Sequence, residues 1–354
     1  MPVPGNLRPI AIAKRVRRNA RTLALLVRDE RASWPECRHP SMWRRGFLSS
    51  RINSFPDIED PSVPYVSDLR FQFHVSKLNP DWTRPLLQDK NVFADALTAR
   101  GLGPYAPEVY GIVTAKGFHA RSSDALERLR NQDGVMLKPI RGTRGKGVRL
   151  AAPSEVEAMT AGFETALLVQ ERVTQHPAIS QINPRSLNTL RLLAVRLPAG
   201  PVLAVGMHRW GTAESGVVDN IDSGGLASGV DLATGRLGPA LTLTRDGRRV
   251  EFDRHPDTDA QITGVLVPQW SAVRELTERL MSSFPELDHI GWDVAVTERG
   301  PLVIEGNAGK PALVFMQVFG SFLHDPGLRD YYESKGLLPP SRQPLGGVPT
   351  GPRC

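Results

Sequence analysis

The chain has 354 residues, 40% of them hydrophobic and 23% charged, enough for a sizeable core in one large domain or two smaller ones. No apolar run reaches the roughly 18 residues that cross a bilayer, the first residues lack the apolar stretch of a secretory signal, and Cys37 and Cys354 make neither a disulfide framework nor a zinc cluster. A reduced, cytoplasmic protein is expected, and its net charge of +7 favours anionic small molecules over nucleic acid, for which no aromatic-interleaved basic tract or zinc-finger spacing is present.

Residues 11–26 have helical spacing with an arginine-rich face. That face fits solvent, an anionic membrane surface or an acidic partner. Residues 51–85 are proline-rich and show no periodic element. Residues 89–100 form a helix, with Asp89 as N-cap, an apolar stripe of Val92, Phe93, Ala96 and Leu97, and Gly101 as stop. A strand over 105–113 and a polar helix over 122–131 follow. Strands over 135–138 and 148–151 flank Arg141-Gly142-Thr143-Arg144-Gly145-Lys146-Gly147. In such a loop, backbone N–H groups can converge on phosphate oxygens without Cβ obstruction. No Gly-Lys-Ser/Thr leads into a helix, so it is not a Walker A loop, and a basic hairpin turn fits equally.

Residues 154–162 read as a helix and 166–170 as a buried strand. Residues 189–197 and 202–209 pair across the turn 198–201 and end in Arg191 and Arg209, each an anion ligand or a solvated strand terminus. Strands over 226–232 and 238–243, a polar turn at 255–259 and an amphipathic helix over 268–283 come next. Residues 290–317 carry two apolar runs, each interrupted by an acid. Alternation makes both half-buried strands, and a turn centred on Arg299 sets Asp293 opposite Glu305, with Asn307 on the same face as Glu305. Directly opposed carboxylates repel. A bound cation accounts for that placement, as does the polar outer face of an ordinary hairpin. Two carboxylates and an amide suit Mg²⁺. A helix is expected after Gln317, and a loosely ordered tail from residue 336.

Taken in order, Asp89-Lys90, LKPIRGTRGKGV, VQERV, SLNTLR, HRW, DN-x-x-SGG, HPDT, GWDVAV and LVIEGN resemble the ATP-grasp superfamily. Within it they resemble the sugar-transfer-associated, glutamate-ligase-like proteins, over residues 89–317. The resemblance implies an α+β ATP-grasp fold, with two lobes clasping ATP behind an N-terminal helical or α/β region. The expected units are 1–100, a small lobe 101–169, a large lobe 170–330 and a tail 331–354. It also implies that Lys90 and Lys138 approach the nucleotide phosphates or adenine, and that the loop of Gly142, Gly145, Lys146 and Gly147 closes over the phosphates. Gln170, Glu171 and Val173 would form the adenine-reading hinge. Arg191, Arg209 and Asn220 would stabilise the transferring phosphoryl group, and Asp293, Glu305 and Asn307 would hold Mg²⁺, or Mn²⁺. One departure concerns the ribose. No acid follows the hinge closely, leaving Gln175 or His176 as candidates.

The implied activity is an ATP-dependent carboxylate–amine ligase acting through an acyl phosphate on small carboxylate and amine substrates, in surface-sugar or natural-product biosynthesis. Phosphorylation of a hydroxyl on the same fold, or a non-catalytic basic binding protein, are the alternatives. Residues 51–85 and 220–229, with His255 and Asp257, are candidates for the second-substrate pocket.

Overall fold

The computed structural model describes residues 7–340 except 35, 143–144, 160–164, 217, 220 and 310. Strands β1 (Val109–Thr114), β2 (Gly117–Ala120), β3 (Val135–Pro139), β4 (Arg149–Ala151) and β5 (Leu167–Glu171) form a five-stranded sheet in the order β2-β1-β5-β3-β4. Val113, Val135, Leu137 and Val169 pack there against Leu129 and Val156 of the helices Ser123–Arg130 and Pro153–Ala158. Ser122 begins the first of these by accepting the Ala125 N–H, as a Ser N-cap does.

Seven strands form the second sheet: β6 (Leu190–Leu197), β7 (Gly200–Trp210), β8 (Leu226–Val230), β9 (Leu237–Leu243), β10 (Arg249–Phe252), β11 (His289–Thr297) and β12 (Gly300–Asn307). Their order is β10-β9-β8-β7-β6-β11-β12, every neighbour antiparallel. Helix Trp270–Ser283 packs on one face, where Leu190, Leu192, Ile290, Trp292 and Val294 meet Val273, Leu276 and Leu280. The other face carries Leu193, Val195 and Met207 beneath Leu313, Met316, Tyr331 and Tyr332. With both faces covered and β6 and β12 alongside, β11 is buried along its whole length. The half-buried strand read from its alternation is therefore corrected, because small and apolar residues fill both faces.

Helix Lys90–Ala99 begins where expected, with the Asp89 carboxylate accepting the N–H groups of Asn91 and Val92. Phe93, Ala96 and Leu97 are buried, and Phe93 stacks on Trp292 with ring centroids 6.3 Å apart. Val92, expected in that stripe, is exposed. Residues 51–85 are not irregular. They contain the helices Arg51–Ser54, Asp68–His74 and Thr83–Gln88, each too short to show a period. Asp68 accepts the Leu48 N–H and pairs with Arg51 at 2.8 Å, so tertiary contacts hold them.

The turn between β6 and β7 is tighter than 198–201, since Leu197 pairs with Gly200. Strand β10, which the sequence did not suggest, alternates over only four residues and lies largely exposed at the sheet edge. The helix expected after Gln317 is only the 3-10 turn Gln317–Phe319, continuing the short α-helix Leu313–Met316. The Gln317 amide is buried and exchanges hydrogen bonds with the Val66 backbone at 2.7 and 2.9 Å. A further helix, Pro326–Ser334, starts at the Asp325 cap, and Leu337 and Leu338 beyond it are buried, so order continues past residue 336. The remainder of the expected tail, 341–354, lies outside the described residues. No helix among the described residues is long and apolar enough to cross a membrane.

Candidate active site between the two sheets

The hairpin β11–β12 sets Asp293 opposite Glu305, by a different route from the one expected. Thr297 pairs with Gly300 across the two-residue turn Glu298-Arg299. That pairing alone would place Ile304 opposite Asp293. A bulge between Asp293 and Val294 inserts one residue on β12 and restores the two acids to one level.

On the other side of β11, Asp293 faces Arg191 of β6, which in turn faces Met207 of β7. Arg191 grips the carboxylate with both Nε and Nη2, the second at 2.9 Å. Arg209, two residues along β7 from Met207, brings Nη2 within 3.2 Å of Asp293 Oδ2. Asp293 is only 4% exposed. Burial works to raise its pKa, but Arg191 and Arg209 overcome that and hold it below the usual carboxylate range. The Asn307 amide lies 3.5 Å from Asp293 Oδ2. Both arginines, read as possible solvated termini, are interior charges compensated by an interior acid.

Glu305 belongs to a second, more open group. Lys90 Nζ is 3.3 Å from its Oε1 and donates to the Gly142 carbonyl at 3.1 Å. Lys138 donates to Gln170 Oε1 at 2.7 Å. Burial strips water from the Lys138 ammonium and lowers its pKa to about 8; Glu305 opposes that drop and Lys90 adds to it. Lys90, Lys138 and Gln170 line a cleft between the sheets that also includes Phe93 and Ile304. The cleft's floor is the helix Lys90–Ala99, tied to the first sheet where the Lys90 N–H meets the Ile140 carbonyl at 3.0 Å. At its rim Arg299, in the hairpin turn, pairs with Glu171 of β5 at 2.6 Å.

The family model for sugar-transfer associated ATP-grasp proteins matches residues 70–326. The chain belongs to this family. Its α+β architecture of two antiparallel sheets is the ATP-grasp fold. No curated protein matches it. Solved structures similar to it include a RimK-domain ATP-grasp protein from Sphaerobacter thermophilus, 16% identical, with a TM-score of 0.33 and 68% of each chain covered. The ATP-grasp ligase PsnB, complexed with minimal precursor, Mg and ADP, is 12% identical over 76% of this chain and 66% of that one, with a TM-score of 0.35. D-alanyl-alanine synthetase A from Vibrio cholerae is 10% identical over 71% of this chain and 66% of its own, with a TM-score of 0.41. This chain thus spans less than two thirds of the length of the last two.

In this ATP-grasp chain the fold gathers Lys90, Lys138, Gly142, Gln170 and Glu305 into one group, and Arg191, Arg209, Asp293 and Asn307 into another. The two meet at the Asp293–Glu305 pair. Gly145, Lys146 and Gly147 are exposed on the loop beside them. A Cβ on Gly145 would stand 2.4 Å from Val218 Cγ1, so the loop rests directly on the segment before β8. Glu171 is engaged by Arg299 and also exchanges contacts with the Glu108 backbone, and Val173 follows in an irregular segment. Asn220 lies outside the described residues.

Of the ribose candidates, Gln175 is removed by its surroundings. It is buried, donating to the Asn183 carbonyl at 2.7 Å and accepting from the Asn188 N–H at 2.9 Å. The His176 ring accepts the Ala178 N–H at 3.2 Å and caps a short helix. His255 is also buried, at 2.8 Å from the Gly211 carbonyl, which fits the turn rather than a pocket wall.

Two residues went unread in the sequence. Asp219 accepts the Thr189 N–H and hydroxyl at 2.9 and 2.5 Å and lies 3.4 Å from Arg209 Nε. Thr189 in turn accepts from Arg209. The only signal was that Asp219 stands beside Asn220 in the DN-x-x-SGG segment.

Proposed function

We propose that the chain is an ATP-dependent carboxylate–amine ligase that activates a carboxylate as an acyl phosphate. One observation carries this reading. Two opposed carboxylates separate a pair of largely buried arginines from a pair of lysines that line one cleft, and one of those lysines donates to the glycine loop at Gly142. Cations on both sides of paired hard-oxygen donors suit a polyphosphate with a divalent metal. Among the described residues no group of three or more His, Cys, Asp or Glu is placed to hold a metal. A cation here would rest on Asp293, Glu305 and the amide oxygen of Asn307, a set that fits Mg²⁺ or Mn²⁺ chemically. Arg191, Arg209 and Lys90 balance those acids in this structure. Asp293, Glu305 and Asn307 would hold the ion, whose chemistry would be neutralisation of phosphate charge.

The protein's own part is positioning. The cleft has about 20 Å³ of free space, so a nucleotide base enters by parting the two sheets, and closing them buries it. Lys138, half-buried and with its pKa near 8, gives up less hydration than an exposed lysine when it meets a phosphate. Lys90 adds a second charge at the loop's base. The Glu171 N–H is spent on the Glu108 carbonyl, so a base edge would meet backbone beyond it, toward Val173. Arg191 and Arg209 are pre-oriented by Asp293, and their planar forks match a transferring phosphoryl group and the acyl phosphate it forms. The amine then attacks the acyl carbon and phosphate leaves. The family's association with sugar transfer supports a glycan precursor or peptide as one substrate, and the ATP requirement supports a cytoplasmic site of action.

Phosphate release with ATP and Mg²⁺ against pools of amino acids and carboxylates tests this, with hydroxylamine present to trap acyl phosphate. Glu305→Gln is expected to lower turnover by at least ~10²-fold, the scale of one preorganised electrostatic group. Asp293→Asn is expected to do the same but also to destabilise the fold, since it leaves buried Arg191 without its acid and Arg209 with Asp219 alone. Near-normal turnover in Glu305→Gln would overturn the metal role. A phosphorylated hydroxyl product with no trapped hydroxamate would replace ligation by kinase chemistry.

A further inference from the structure

Residues 1–50 hold eleven Lys and Arg against three Asp and Glu, a local net charge of +8, leaving 33 basic against 34 acidic residues in the rest of the chain. All of the protein's positive excess therefore sits in one terminal segment, outside the nucleotide-site residues. Such a concentration is an electrostatic footprint for an anionic surface.

The same segment carries an apolar ledge of defined construction. Glu30, 1% exposed on helix Leu7–Ala32, accepts the Ser49 N–H at 2.7 Å and the Trp34 Nε1–H at 3.0 Å, and it also accepts a hydrogen bond from Trp43. One buried acid thus satisfies both indole N–H groups. What remains of each ring is hydrocarbon, and Trp34 and Trp43 are 40% and 41% exposed. Arg38 lies over the Trp34 ring at 4.7 Å, and Arg44 and Arg45 are exposed beside Trp43. The helix extends the ledge. Leu26 and Glu30 are buried, yet Val16 and Leu23, on the same helix face two heptads and one heptad before Glu30, are exposed, as are Arg17 and Arg21 next to them.

We propose that this ledge docks the protein on an anionic membrane surface. Indole rings with basic neighbours settle at the headgroup boundary, and an amphipathic helix lies in that plane with its aliphatic face toward the acyl chains. Exposed Val16 and Leu23 distinguish this from single-stranded nucleic acid, which would use the tryptophans for stacking but has no use for aliphatic side chains. A second copy of the chain is a poor occupant, because it would bring a second surface of the same charge.

Co-sedimentation of the full chain with vesicles tests the proposal. We expect binding to phosphatidylcholine vesicles containing phosphatidylglycerol and not to phosphatidylcholine alone, weakened about tenfold as salt shortens the Debye length. The double variant Arg44→Gln, Arg45→Gln is expected to bind several-fold more weakly with an unchanged melting temperature, since both side chains are exposed. Trp43→Ala should lose binding even at low salt. Equal binding to neutral and anionic vesicles, no vesicle binding, or capture by polynucleotide in its place would each overturn the proposal.

Discussion

Asp219 brings a negative charge to a space already occupied by Arg209 and Thr189. Arg209 is largely buried, and desolvation alone would favour loss of its proton; Asp219 and Asp293 together keep it charged. The two acids hold opposite ends of the same guanidinium, Asp219 near Nε and Asp293 near Nη2. On the proposed mechanism Arg209 meets the phosphoryl group, so Asp219 is a positioning residue that acts through it. Asp219→Asn keeps the acceptor for Thr189 and removes the charge. We expect kcat to fall about tenfold with KM for ATP within about twofold, because the interaction lost is one made in the transition state. Asp219→Glu should recover part of that. If Asp219 merely ties two chain segments together, Asp219→Asn will lower stability and leave kcat unchanged, and steady-state kinetics with a urea titration separate the two outcomes.

At the scale of elements, the glycine loop and the hairpin were legible to different degrees. Residue chemistry was plain in both: glycines among cations, and acids inside apolar runs. Helix Lys90–Ala99 was equally plain, because its cap and stripe are local features. The acids' register emerged correctly, but the bulge that produces it was not read, since the pairing register is set between two strands and not by either strand's pattern alone. Asp219 was unreadable for a related reason. Its partner Thr189 lies 30 residues away, and only the fold brings them together. The short helices of 51–85 and the exposed edge strand β10 failed because neither has enough periodicity to read.

The contact of the glycine loop with Val218 was also beyond the sequence, and it gives a prediction. Gly145 has φ of +70°, and a Cβ there would overlap Val218 Cγ1. Gly145→Ala thus faces left-handed backbone strain of about 1 kcal/mol and a steric clash that lifts the loop. We expect KM for ATP to rise about tenfold. Adding Val218→Ala removes the clash but not the strain, so the double variant should recover part of the affinity. No recovery would mean that the loop does not close against Val218.

Across the whole molecule, two buried histidines bind the stability of the second sheet to pH. His208 in β7 stacks on Trp210 at 4.0 Å, and His289 opens β11 with its ring 2.8 Å from the Tyr332 hydroxyl. Burial lowers the pKa of each to about 3. Above the ordinary imidazole value of 6.5 both are neutral in the folded and unfolded chain, and pH has no leverage. Below it the unfolded chain takes up protons that the folded chain refuses, so stability falls as pH falls. The slope approaches ~1.4 kcal/mol per pH unit for each histidine, or ~2.7 for the pair, and persists down to about pH 3. Asp293 adds to the loss below 3.8, because its folded pKa is also lowered. Urea midpoints followed by tryptophan fluorescence should therefore drop steadily from about pH 6.5 to about pH 4.5. His289→Gln, which cannot titrate and can still meet the Tyr332 hydroxyl, should roughly halve the slope. A midpoint that stays flat over that range would show that both imidazoles take up protons inside the folded sheet, and that their burial is not what sets their charge.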